Sequence, residues 1–110
     1  MEGREEVIIQ PGMHGIILYA ECKHPDEYHG DWIILIADVR VLNGALTIFR
    51  HASHNINKGE GGADPYQVNW GLPEYYRFYK TTKEEKKIIM DKIKERGFRY
   101  VKIINKLIYR

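Results

Sequence analysis

The side chains able to do chemistry here fall into three sets. Five histidines accompany a single cysteine, Cys22, and a single serine, Ser53. Cys22, His24, Asp26 and His29 are of types that bind transition metals, as are His51 and His54. Pro25 should end the strand that would align Cys22 with His24, and neither a Cys-x-x-Cys nor a His-Glu-x-x-His spacing strengthens either set. Loop and surface histidines are therefore the default reading, and neither a metal ligand nor a cofactor is expected. The second set, His51, Ser53 and His54, puts a hydroxyl between two bases, so a small hydrolase or metal-binding protein is an alternative. A nucleophile and its base must meet in space and be oriented by a third group, which sequence adjacency does not provide. The third set is aromatic and basic. Tyr75, Arg77 and Tyr79 alternate with Tyr76, Phe78 and Lys80, and a strand showing aromatics beside cations can stack bases and neutralise phosphates.

These residues sit in a chain of uneven charge. The formal net charge is +2, but residues 1–75 carry about −6 and residues 76–110 about +8. The basic third supplies Arg77, Lys80, Lys83, Lys86, Lys87, Arg99 and Lys102 as a candidate interaction surface; Tyr66, Trp70, Tyr75 and Tyr79 are the candidate aromatic contacts. The bland reading of the same charge is a lysine-rich solvated helix face beside an acidic sheet.

The elements that must position these groups can be read from pattern. Gly15 to Cys22 reads as a strand after the Pro11-Gly12 turn, with a short possible strand at Glu6 to Gln10 before it. Lys23 to Gly30 reads as a loop. Asn43-Gly44 between two β-rich runs predicts a type I′ hairpin. Its register pairs Val41 with Leu46, Val39 with Ile48, Ala37 with Arg50 and Leu35 with Ala52 on one face, and Ile36 with His51 and Ile34 with Ser53 on the other. Trp32 to Ala37 is apolar on both sides, so a second layer must cover Trp32, Ile34 and Ile36. Residues 54–65, with three glycines, read as a long mobile loop, and residues 66–73 as a return to the sheet. Thr82 with Glu85 predicts a capping box opening a helix over residues 82–96, ended by Gly97. Its Ile88, Ile89 and Ile93 are expected to dock on the Trp32/Ile34/Ile36 patch. Phe98 to Tyr109 reads as two short strands turning near Ile104-Asn105-Lys106.

Phe78 to Lys86 with its Thr82-Lys83-Glu84-Glu85-Lys86 helix start, then Asp91-Lys92, Gly97-Phe98-Arg99-Tyr100 and Asn105-Lys106-Leu107, resembles a C-terminal module of small uncharacterised bacterial and phage-associated proteins. The resemblance spans residues 77–109. It implies a β-rich domain, barrel-like or curved, capped by one helix and a closing hairpin, and it implies no activity.

The expectation is thus a single α+β domain over residues 1–110: a curved, mostly antiparallel sheet or a small SH3-like, partly open barrel (about 5–80), one C-terminal helix, and a short hairpin (about 98–109). The longest apolar run is six residues, against roughly twenty for a membrane helix, and Met1 to Glu6 is acidic without an apolar stretch. No membrane partner or signal peptide is expected, and one cysteine suits a reducing cytoplasm. The function expected is non-enzymatic contact with another macromolecule, a protein first, with nucleic acid through the basic third as the alternative.

Overall fold

Asn43 and Gly44, at φ 50° and 77°, form the two-residue turn that their sequence demands, and the computed structural model, which describes residues 1–110, builds outward from it. Strands β3 (Trp32–Leu42) and β4 (Ala45–Asn55) pair antiparallel in the expected register at both ends: Val39 faces Ile48, and Leu35 faces Ala52. Between these pairs the ladder departs from the simple pattern. Ile36 pairs with Arg50, so His51 on β4 and Ala37 on β3 are left as successive unpaired residues, one on each strand. Each extra residue reverses the side-chain alternation of its own strand. Val39 and Ile48 therefore join Ile34 and Ile36 in one core cluster, whereas Leu35 and Ala52 join Ile33 in another. The expected grouping of all four on one face, and the pairs Ala37–Arg50 and Ile36–His51, are corrected by this double irregularity.

The main sheet adds β1 (Glu6–Val7), β2 (Ile16–Cys22), β5 (Gly61–Gly71) and β6 (Tyr76–Lys80) in the order β1-β6-β2-β3-β4-β5. Every pairing is antiparallel, and the ladder runs from β1 to β5 without closing. The fold is α+β with an open sheet. A second sheet of two strands, β7 (Phe98–Val101) and β8 (Lys106–Tyr109), is the expected closing hairpin.

Helix α1 (Lys83–Glu95) starts on the capping box: Thr82 Oγ1 accepts from the Glu85 amide at 3.2 Å, and Glu85 Oε1 accepts from the Thr82 amide at 2.9 Å. Gly97, at φ 86°, follows its end. Ile89 and Ile93 are buried, each contributing about 1.5–3 kcal/mol. They pack with Tyr19, Ile33, Leu35 and Tyr79 of the sheet and with Phe98 and Leu107 of the hairpin. This is the face opposite to the expected dock, and Ile88 remains 38% exposed. The Trp32/Ile34/Ile36 face is covered instead by the protein's own N-terminal segment and sheet aromatics. Ile9, Phe78, Tyr76 and Trp70 join it, with the Trp70 ring 4.7 Å from Tyr76 and 6.3 Å from Trp32. Four strand spacings separate β5 from β6, about 19 Å along a flat sheet, so the sheet must curl for these rings to meet.

Residues 54–65 are not a loose loop. β4 continues through Asn55, whose Oδ1 accepts from the Asn57 and Lys58 amides at 3.1 and 2.8 Å. β5 already begins at Gly61, where a Cβ would stand 2.0 Å from the Ser53 carbonyl oxygen. Gly61 is there for close strand approach, whereas Gly59 supplies a left-handed turn residue at φ 67°. Lys92 Nζ and Arg96 Nη2 clamp the turn from the helix through the Gly59 and Gly61 carbonyls, each at 2.9 Å. Tyr75, expected in a strand, belongs to a short 3-10 turn, Pro73–Tyr75, that leads into β6.

Candidate functional site

Of the seven basic residues singled out, three meet at one place. Lys80 ends β6, Lys86 lies in the second turn of α1, and Lys102 opens the turn between β7 and β8; together they rim a groove of about 460 Å³. Its floor on this face is Ile17, half-buried over the fully buried Leu35; Ile16 and Leu18 border it along β2, with their side chains in the cluster on the opposite face. Lys86 and Lys102 take part in no ion pair. Lys80 Nζ lies 2.7 Å from Glu5 Oε2, but both side chains are more than 60% exposed, where such a pair is weak.

The hairpin that forms one wall is held by a half-buried polar knot. Asn105, at φ 50° in the β7–β8 turn, donates from Nδ2 to the carbonyl of Ala37 at 2.9 Å. Its Oδ1 accepts from the Tyr100 hydroxyl and from His51 Nε2, each at 2.9 Å. The two residues left unpaired in the β3–β4 ladder are therefore those that seat the hairpin. Gly15 makes room for it, because a Cβ there would be 2.9 Å from the Tyr100 oxygen. Burial raises the Tyr100 pKa, which keeps that hydroxyl a donor. Burial also lowers the pKa of His51, and its Nδ1 is enclosed without a partner. On the opposite wall the Thr81 hydroxyl donates to the Ile17 carbonyl at 3.2 Å.

The remaining candidates are placed as follows. Lys83, Arg77 and Arg99 are exposed, as are Tyr66 at 79% and Tyr75 at 58%. Lys87 pairs with Asp91 at 2.8 Å. Tyr79 is corrected: it is only 7% exposed, inside the helix-side core, and offers no contact surface. Trp70 is packed edge-on or tilted against Trp32, Tyr76 and Phe78. That aromatic cluster lies on the sheet face turned away from α1, while Lys86 and Lys102 belong to elements packed on the other face. Aromatics and cations are not interleaved, as a base-stacking surface would need.

His51, Ser53 and His54 do not assemble. His51 is committed to Asn105, and Ser53 is 3% exposed. His54, in β4 rather than beyond it, faces a small recess with Ile88, Asp91, Lys92 and Glu95. Burial and then the Lys92 charge lower its pKa, and its Nδ1 is buried without a partner. Cys22, His24, Asp26 and His29 share a recess of about 400 Å³ with Tyr75 and Tyr76. Asp26 accepts from His29 Nδ1 at 2.9 Å, which lowers the carboxyl pKa, but no three of these donors gather closely enough to hold a metal ion.

The groove's apolar floor, Gly15 and the anchoring role of Asn105 were not singled out in the sequence. An asparagine at a hairpin turn was the one available signal, and it marks a left-handed turn residue without revealing what its amide will touch. No helix is long and apolar enough to cross a membrane. No protein-family model matches the chain, and no match is found among curated proteins or solved structures.

Proposed function

We propose that this chain is a non-enzymatic binding module that takes an acidic segment of another protein against its lysine-rimmed groove. The observation that carries this reading is the meeting of Lys80, Lys86 and Lys102, from three separate elements, over an aliphatic floor. A cationic rim complements an acidic partner in charge and steers its approach. The separation of the aromatic cluster from these lysines favours a protein segment over a single-stranded nucleic acid, whose bases would have only Tyr100 beside them. In fold terms, the meeting of Trp70 with Tyr76 supports treating the curled sheet as a partly open, SH3-like barrel. The resemblance of residues 77–109 is the support for counting the chain among small bacterial and phage-associated proteins, and the lone thiol of Cys22 suits a reducing cytoplasm.

Fluorescence anisotropy with a labelled glutamate-rich peptide and a labelled oligothymidylate, titrated across ionic strength, tests the reading. The peptide is expected to bind at low salt and weaken as salt rises. Tighter binding of the oligothymidylate, with a steep salt slope, would favour the nucleic-acid alternative; no binding of the peptide would remove the proposal.

A further inference from the structure

We infer that the groove recognises an aliphatic side chain together with the carboxylates that flank it, so that the partner segment carries a leucine-like residue between acidic ones. This rests on the binding reading above and narrows it.

The hydroxyl donors of the groove are already used. The Tyr100 hydroxyl donates to Asn105, and the Thr81 hydroxyl donates to the Ile17 carbonyl. The groups left to a ligand are the ammonium heads of Lys86 and Lys102, that of Lys80 in competition with Glu5, and the apolar surface of Ile17. A purely polyanionic ligand would satisfy the lysines and leave the floor wet; an uncharged apolar one would cover the floor and leave the charges unused. An acidic–aliphatic segment uses both. The same features disfavour a phosphoryl group. No arginine lines the groove to offer a two-pronged contact, and the Glu85 amide in the first turn of α1 is taken by Thr82. Lysines on flexible stems instead suit carboxylates whose spacing varies. The volume, about 460 Å³, lies in the usual range for ligand pockets, roughly 300–1,000 Å³.

The test compares two labelled five-residue peptides, each with two glutamates on either side of a central leucine or a central serine, alongside an oligothymidylate. Each is titrated at low ionic strength against the wild-type chain, the K86Q/K102Q double variant and a remote control, K94Q. Thermal melts establish that the variants are folded. The expected result is a leucine peptide bound about tenfold or more tightly than the serine peptide, with that affinity lost about tenfold in K86Q/K102Q and kept in K94Q. Equal affinity for the two peptides overturns the inference while leaving an acidic partner in place; affinity unchanged in K86Q/K102Q moves binding off the lysine rim and overturns the parent reading as well. Absence of binding by both peptides, or tighter binding of the oligothymidylate, overturns the parent reading and this inference with it.

Discussion

The side-chain amide of Asn105 donates to the backbone carbonyl of Ala37 across 68 residues of sequence, at 2.9 Å. This contact joins the C-terminal hairpin to a residue that the β3–β4 ladder leaves unpaired. Removing it strands that carbonyl, the Tyr100 hydroxyl and His51 Nε2 together. Asn105→Gly, which keeps the positive φ accessible, is expected to cost about 1–3 kcal/mol in urea unfolding. Asn105→Ala should cost more, because the left-handed backbone adds about 1–2 kcal/mol. Equal stability of wild type and Asn105→Gly would show that the knot does not hold the hairpin.

Stability should depend on pH through His51. Burial holds its folded pKa below the ordinary value of 6.5. Asn105 faces its Nε2, Tyr100 packs 5.7 Å away, and Arg50 adds a like charge. The unfolded chain therefore takes up the proton first as pH falls through 6.5. The contribution is complete above that value and declines below it until the folded ring also protonates. His54, lowered mainly by burial, acts in the same direction. Urea midpoints measured from pH 7.5 downward should fall in the wild type, with a shallower slope in His51→Gln. Identical slopes would assign the dependence elsewhere.

Gly61 and Gly59 separate close approach from backbone preference. A Cβ at Gly61 would collide with the Ser53 carbonyl at 2.0 Å, in a backbone at φ 140°. At Gly59, with φ 67°, a Cβ meets open space. Gly61→Ala is expected to cost more than about 3 kcal/mol, and Gly59→Ala only about 1–2 kcal/mol. Thermal melts of the two variants rank them directly, and a reversed order would contradict the tight turn described above.

Glu85 does two jobs at the start of α1. Its Oε1 accepts from the Thr82 amide at 2.9 Å and from Arg4 Nη1 at 2.6 Å, tying the N-terminal segment to the helix. Thr82→Ala should cost about 1 kcal/mol, the usual loss of a helix cap. Glu85→Ala should cost more than Thr82→Ala, and Arg4→Ala should have little further effect in its presence. A double-mutant cycle on Arg4 and Glu85 measures the coupling.

The elements set by local chemistry were legible in the sequence. Asn43-Gly44 gave the hairpin, Thr82 and Glu85 the helix start, and Gly97 follows the helix end. What failed were readings that assume uninterrupted alternation. Two successive offsets, one on each side of the Ile36–Arg50 pair, reversed the two strands, and nothing in Ala37 or His51 announces them. The helix took the Ile33/Leu35 face, and Trp70, expected to be displayed, packs against Trp32 instead. The glycine-rich stretch was misread because glycine permits both looseness and close packing, and only the nearby Ser53 carbonyl decides between them. At the groove, the cations could be named from composition, but their convergence depends on a hairpin docking that no local pattern encodes.

The unpaired residues Ala37 and His51 also constrain how this lineage can change. Deleting either alone would leave the two arms of the long hairpin one position out of step, turning half of one arm inside out relative to its neighbour. Deleting both would restore an even ladder but erase the landing place of the C-terminal hairpin. The two positions should be inherited as a unit, and shorter homologues that lack them should lack the hairpin's asparagine as well.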